Sequence, residues 1–115
     1  MNAPADTAEI VWTEIGAVGD IPRRGARRVP TAQGDIAVFR TGESGVYALF
    51  DRCPHRHGPL SQGIVHGTTV ACPLHNWVID LTTGQPVGPD AGKGCTPTAP
   101  LEVREGKLFL GLVRR

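Results

Sequence analysis

Apolar and polar residues alternate along this chain in short runs separated by turn formers, which is the pattern of β-strands. Residues 35–40 alternate well enough to predict a half-buried strand. The loop at 42–45 leads from it into a second apolar run, Val46–Phe50, so the two strands are expected to form a hairpin. The pattern therefore indicates an antiparallel β fold.

The clearest hairpin lies near the end of the sequence. Residues 101–104 and 107–112 flank Glu105 and Gly106, and their leucines and valine supply one apolar face. Shorter runs predict further strands at 10–12, at 26–29, within 61–71 around a turn at Gly67, and at 76–81.

A glycine- and proline-dense segment, roughly residues 51–94, separates the two hairpins. The 115 residues include 15 glycines and 10 prolines, which favour short strands joined by turns over long helices. Residues 1–9 are small and polar and predict a flexible N-terminal tail. We expect one domain over residues 10–115, an all-β barrel or sandwich from which the segment 51–94 projects as a subdomain.

Charge and composition exclude several classes of function. A formal net charge of +1 gives no reason to expect a nucleic acid or an anionic membrane as partner. No apolar run approaches the roughly 18 residues of a membrane span, and the first residues do not resemble a secretory signal. Three cysteines cannot form a closed set of disulfides, so reduced thiols and a cytoplasmic location are expected.

Two short boxes of metal-ligand residues lie sixteen residues apart inside the segment 51–94. The first is Cys53-Pro54-His55 and the second is Cys72-Pro73-Leu74-His75. Together they offer two thiolates and two imidazoles, the ligand set of a [2Fe–2S] cluster with cysteines on one iron and histidines on the other. Zinc also accepts two cysteines and two histidines, but its usual fingers do not mix the two residue types within each half.

The spacing and the loop residues match the Rieske pattern, and the chain resembles that family throughout both boxes. The resemblance implies that Cys53 and Cys72 bind the inner iron of one Rieske-type cluster, and that His55 and His75 bind the outer, exposed iron. It also implies a Rieske-type fold whose cluster-binding subdomain carries both boxes.

The residues around the boxes are similar to the small subunit of assimilatory NAD(P)H-dependent nitrite reductase. The similar parts are residues 53–65, residues 72–77, Trp12, the stretch 21–27 and the strand residues 36–40. This resemblance implies an electron-transfer subunit in nitrate and nitrite assimilation that has no complete active site of its own. The partner would be a large subunit that carries FAD, a [4Fe–4S] cluster and sirohaem and reduces nitrite to ammonium.

Departures from related Rieske patterns refine this expectation. High-potential members carry a disulfide across the cluster, and the corresponding positions here are Gly58 and Leu74. A low, ferredoxin-like reduction potential is therefore predicted. Asn76 stands where Rieske ferredoxins commonly have glycine, and it favours the nitrite reductase branch.

The ligands themselves do not separate a nitrite reductase subunit from a stand-alone Rieske ferredoxin that serves an aromatic-ring dioxygenase. A complete Rieske oxygenase would need a second domain with a mononuclear iron, for which this length leaves no room. A zinc-stabilised adaptor is the non-redox alternative.

Several other residues have a structural and a functional interpretation. His57 is expected at the surface or beside the ligands, His66 in a solvated turn, and Cys95 as a semi-buried thiol. Trp77 is expected either to pack below its loop, or to shield the cluster or lie at a partner interface. The cluster of four arginines is interpreted as a solvated strand face, or alternatively as a docking patch for an acidic partner: Arg23, Arg24, Arg27 and Arg28.

Overall fold

The computed structural model describes residues 10–54, 58–74 and 76–113. Ten strands occupy these residues: β1 (Ile10–Ala17), β2 (Gly25–Thr31), β3 (Gly34–Arg40), β4 (Val46–Phe50), β5 (Ile64–His66), β6 (Thr69–Ala71), β7 (Val78–Asp80), β8 (Pro86–Val87), β9 (Leu101–Arg104) and β10 (Lys107–Val113). Three 3-10 turns lie at Val18–Asp20, Leu60–Gln62 and Gly88–Asp90, and the described part of the chain contains no α-helix. The all-β prediction is confirmed.

The strands form three antiparallel sheets. Their orders are β1-β10-β9, β2-β3-β4 and β5-β6-β7-β8. The third sheet, with the loops that flank it, occupies the middle of the glycine- and proline-dense segment, between β4 and β9. The predicted tail at residues 1–9 lies outside the described residues.

The second sheet lies between the other two, and this placement corrects one expectation. Strand β3 was predicted to be half-buried, but Ile36, Ala37, Val38 and Phe39 are all buried. Ile36 and Val38 pack into a core shared with β10, whereas Ala37 and Phe39 pack into a core shared with the third sheet. A strand covered on both faces needs apolar residues at successive positions, as its four-residue run provides.

The C-terminal hairpin is formed as predicted, with Leu110 opposite Leu101 and Leu108 opposite Val103. Leu108 and Leu110 are completely buried, but Val103 is 48% exposed, so the predicted apolar face is only partly covered. Strand β1 pairs along the whole of β10 and extends well beyond the predicted residues 10–12. Its later residues were missed because their pattern is mixed, whereas pairing with β10 satisfies their backbone.

Candidate metal-cluster centre

The first box begins where β4 ends. Cys53 is buried, and its backbone N–H donates to the carbonyl oxygen of Gly58 at 2.8 Å, which closes a loop over the residues between them. His55, Arg56 and His57 fall within that loop and lie outside the described residues. The expected ligand role of His55 and the surface role of His57 therefore stay predictions.

The second box is built in the same way after β6. Cys72 is buried, and its N–H donates to the carbonyl oxygen of Trp77 at 2.7 Å. In both boxes the cysteine N–H thus bonds to the carbonyl five residues later. His75 lies outside the described residues, so its ligand role also stays a prediction.

The backbone at Asn76 adopts a conformation that few residue types tolerate. Its φ of 57° places it in the left-handed region, and its N–H donates to the carbonyl oxygen of Cys72 at 3.0 Å. Glycine adopts this conformation freely, and asparagine is among the few other residues that tolerate it. Either residue suits this turn, so the conformation alone does not choose between them, and Asn76 as a mark of one Rieske branch stays a prediction.

The two boxes meet at Gly58. A Cβ atom at this position would lie 2.8 Å from Sγ of Cys72 and 3.0 Å from Cγ of Leu74. Cys53 and Cys72 belong to one buried core, and Leu74 is 54% exposed. Two buried sulfurs beneath an exposed loop tip offer soft ligands on the inner side of the site. The described residues therefore fit an iron–sulfur cluster whose cysteine side faces the protein.

Sequence reasoning missed the residue that joins the two ends of the first loop. The Asp51 side chain is completely buried and accepts hydrogen bonds from the Ser61 N–H, the Ser61 hydroxyl and Arg28 Nε. Its only sequence signal is an acidic residue directly after an apolar strand. That signal is weak, since such residues usually lie in exposed turns.

Three expectations from the sequence can be compared with burial. Trp77 is partly buried and packs against the buried core that contains both cysteines, as expected for packing below the loop, while its alternative role beside the cluster or a partner stays a prediction. His66 is exposed at the end of β5, as expected. Cys95 was expected to be semi-buried, but it is exposed, because the segment before Thr96 runs over the surface beside Pro54. Cys95 lines a cavity of about 520 Å³ together with Cys53.

The four arginines are exposed, as expected of solvated side chains. They do not form one strand face, because Arg23 and Arg24 lie in the turn before β2, and Arg27 and Arg28 are successive residues of β2. Two of them also have structural partners, because Arg28 pairs with Asp51 and Arg27 donates to the carbonyl oxygen of Ile15. The alternative role of this cluster as a docking patch stays a prediction.

Three antiparallel sheets, with two cysteine loops meeting beside the third, define the class of small cluster-binding electron carriers. Residues 11–100 match the Rieske [2Fe-2S] domain family, and the chain belongs to it. A domain of this family binds one [2Fe–2S] cluster, so the zinc alternative is set aside. No helix in the described ranges is long and apolar enough to cross a membrane.

Among relatives, the anthranilate 1,2-dioxygenase ferredoxin subunit of Burkholderia cepacia is 39% identical over 103 residues, covering 89% of this chain and 88% of that protein. The ferredoxin CarAc of Metapseudomonas resinovorans is 32% identical over 106 residues, covering 87% and 92%.

Solved structures show the same fold. A chain in the complex of reduced oxygenase and oxidized ferredoxin of carbazole 1,9a-dioxygenase has a TM-score of 0.78 at 28% identity, covering 90% of this chain and 95% of that one. A protein provisionally called the NADH-dependent nitrite reductase small subunit, from Mycobacterium tuberculosis, has a TM-score of 0.81 at 23% identity, covering 93% and 99%. Another, provisionally called a small subunit of NADPH nitrite reductase, has a TM-score of 0.73 at 25% identity, covering 87% and 97%.

Proposed function

We propose that this Rieske protein is the ferredoxin component of an aromatic-ring dioxygenase system. The main support for this proposal is the 39% identity to a dioxygenase ferredoxin subunit along most of both chains. In this role the protein takes one electron from a reductase and delivers it to an oxygenase, and it performs no catalysis alone. The proposal keeps the cytoplasmic location that the three-cysteine composition predicts.

The proposal assigns four ligands. Cys53 and Cys72 hold the inner iron, and His55 and His75 hold the outer one. The burial of both thiols in one core supports the inner assignment. The bound cluster supplies one-electron redox chemistry, and replacing two thiolates by neutral imidazoles raises its potential. The protein contributes a rigid, apolar base on the cysteine side and leaves the loop tip at Leu74 open to a partner.

The ligand assignment is tested by substitutions with matched controls. Cys53→Ser and Cys72→Ser should each abolish retention of iron, whereas Cys95→Ser should retain it. His55→Ala and His75→Ala should likewise lose the Rieske signal in EPR spectra of the dithionite-reduced protein. His57→Ala and His66→Ala serve as the histidine controls, and loss of the cluster in either would contradict the assignment.

A second candidate function is the small subunit of nitrite reductase, which the sequence resemblance predicted. It is favoured by the likeness to a provisionally named small subunit at 25% identity over 87% of this chain. In this role the partner would be the large subunit with FAD, a [4Fe–4S] cluster and sirohaem. The left-handed conformation of Asn76 would suit glycine as well, so the bearing of this residue on the choice stays a prediction.

One experiment separates the two partners. The holoprotein is expressed in its native host with a small affinity tag and purified under mild conditions. The dioxygenase proposal predicts that it is isolated as a single small protein, is reduced by a flavoprotein reductase, and supports turnover of a dioxygenase oxygenase component. Stable co-purification with a large sirohaem protein, together with stimulation of nitrite reduction, would contradict that proposal and support the second candidate.

A further inference from the structure

The loop that carries Cys53 is closed at two levels. The upper level is the backbone bond from Cys53 to Gly58. The lower level is made by side chains, because Asp51 precedes the loop and Ser61 follows it. Oδ1 of Asp51 lies 2.7 Å from the backbone nitrogen of Ser61, and Oδ2 lies 2.6 Å from its hydroxyl oxygen.

Both ends of this lower level are fixed to the body of the protein. The N–H of Asp51 donates to the carbonyl oxygen of Asp35 in β3 at 2.9 Å. Ser61 belongs to the 3-10 turn Leu60–Gln62, in which Leu60 is completely buried. Arg28 of β2 adds a charged donor, with Nε 2.9 Å from Oδ2 of Asp51.

A carboxylate without any exposure is costly unless donors surround it. Here three donors converge on Asp51, and two of them come from the far end of the ligand loop. The charge is thus used to hold the two ends of that loop at a fixed separation. Hydrogen bonds to a charged group are stronger and shorter than those between neutral groups, which suits this task.

We propose that Asp51 is a positioning residue for the [2Fe–2S] cluster, which holds Cys53 in place by joining the ends of its loop through Ser61 and Arg28. The residue does not touch the cluster; it acts through the loop. The inference rests on the proposed ligand role of Cys53, and it is independent of which partner receives the electron.

The test uses the holoprotein and measures iron release to a chelator together with the EPR spectrum after reduction. Asp51→Asn keeps the volume and one acceptor for the Ser61 N–H, but the NH2 group that replaces Oδ2 can accept neither from the Ser61 hydroxyl nor from Arg28. Iron release is expected to accelerate on the order of tenfold or more. The g values are expected to shift, because the ligand loop is no longer fixed in one geometry.

Ser61 provides milder variants that keep the charge in place. Ser61→Ala removes one hydrogen bond and should accelerate iron release less than Asp51→Asn, whereas Ser61→Thr keeps a hydroxyl and should restore slow release. In the double variant, the increase in the free-energy cost of iron retention should be smaller than the sum of the two single effects of Asp51→Asn and Ser61→Ala, because both substitutions remove the same hydrogen bond.

Asp80 offers a matched control. Its carboxylate also accepts from the N–H and the hydroxyl of one residue, Thr82, at 2.7 and 2.6 Å. Both of these bonds fall on Oδ1, however, and they lie in the exposed turn after β7 rather than at the ligand loop. Asp80→Asn should leave iron release and g values as in the wild type. Equal release from the Asp51→Asn and Asp80→Asn proteins would overturn the proposal.

Two further outcomes keep the inference separate from the ligand assignment. Iron release from Asp51→Asn that merely follows loss of the far-UV circular dichroism signal would also overturn it, since the role would then be general stability. Retention of iron in Cys53→Ser would instead refute the ligand role of Cys53, and the positioning role with it. Loss of iron in Cys53→Ser with wild-type behaviour in Asp51→Asn overturns the positioning role alone.

Discussion

Replacing Gly58 by alanine tests how closely the two ligand loops approach each other. The added methyl group would lie 2.8 Å from Sγ of Cys72 and 3.0 Å from Cγ and Cδ1 of Leu74. The φ of Gly58 is not in the left-handed region, so the cost is steric rather than conformational. Favourable contacts between carbon atoms lie at about 3.5–4.0 Å, so either the sulfur or the loop must move.

The magnitude depends on whether Cys72 is free to move its sulfur. Inserting a methyl group into a packed site costs about 1–3 kcal/mol, which is about 5- to 150-fold in an equilibrium constant. Without the cluster, a rotation of the Cys72 side chain would relieve the contact with Sγ, although the contacts with Leu74 would remain. With the cluster bound, the same rotation would displace a proposed ligand. We therefore expect Gly58→Ala to weaken cluster retention by this factor while the chain stays folded.

The assay is competition for iron between the protein and a chelator, read from the visible absorbance, with circular dichroism as a check of the fold. Gly19→Ala is the control, because no atom lies within 4 Å of its added Cβ and its φ is not left-handed. Gly58→Ala with Leu74→Ala should recover only part of the loss, since the contact with Sγ remains. Retention equal to that of Gly19→Ala, or full recovery in the double variant, would refute the reasoning.

Three further predictions concern stability and redox behaviour. Gly84 and Gly106 have nearly the same φ, 78° and 79°, but an added Cβ would meet the carbonyl oxygen of Thr96, at 2.0 Å, only at Gly84. In denaturant unfolding, Gly84→Ala should therefore lower the free energy of unfolding by about 1–3 kcal/mol more than Gly106→Ala. Equal losses of stability in the two variants would contradict this contact. The hydroxyl of Thr82 is the main cause that lowers the pKa of Asp80 below its usual 3.8. Because the pKa of Asp80 is lowered in the folded state, the stability that Thr82→Val removes is present above pH 3.8 and is lost as the pH falls through the folded-state pKa. The thermal unfolding midpoints of the wild type and Thr82→Val should therefore converge only below pH 3.8. The midpoint potential in a redox titration should lie in the lower part of the Rieske span of about −150 to +300 mV, and a value well above zero would refute the ferredoxin-like assignment.

Much of the fold follows from local pattern. The hairpins around 42–45 and around Glu105-Gly106 are found where the turn residues place them. The two-residue strand β8 was not predicted, because Pro86 and Val87 carry too short a pattern to detect. The family and its cofactor were also accessible, because two mixed cysteine and histidine boxes form a signal that few other sites share.

The choice between partners was harder to predict. Asn76 was interpreted as a mark of the nitrite reductase branch of Rieske proteins. Its φ of 57° is a left-handed conformation that glycine adopts equally well, so the turn itself accepts either residue. A sequence shows which residue stands at a position and does not show the dihedral angle that it must adopt.

The sequence by itself determined the strand pattern, the two boxes and the class of chemistry, because each depends on residues that are near neighbours in the chain. The tertiary structure alone decided that β3 is covered on both faces, that Gly58 lies against Cys72, and that Asp51 is buried between Arg28 and Ser61. These contacts join residues that are ten or more positions apart, and their geometry depends on how the sheets pack. Local hydrophobic period carries no information about that packing, which is why the supports of the site became visible only in the folded chain.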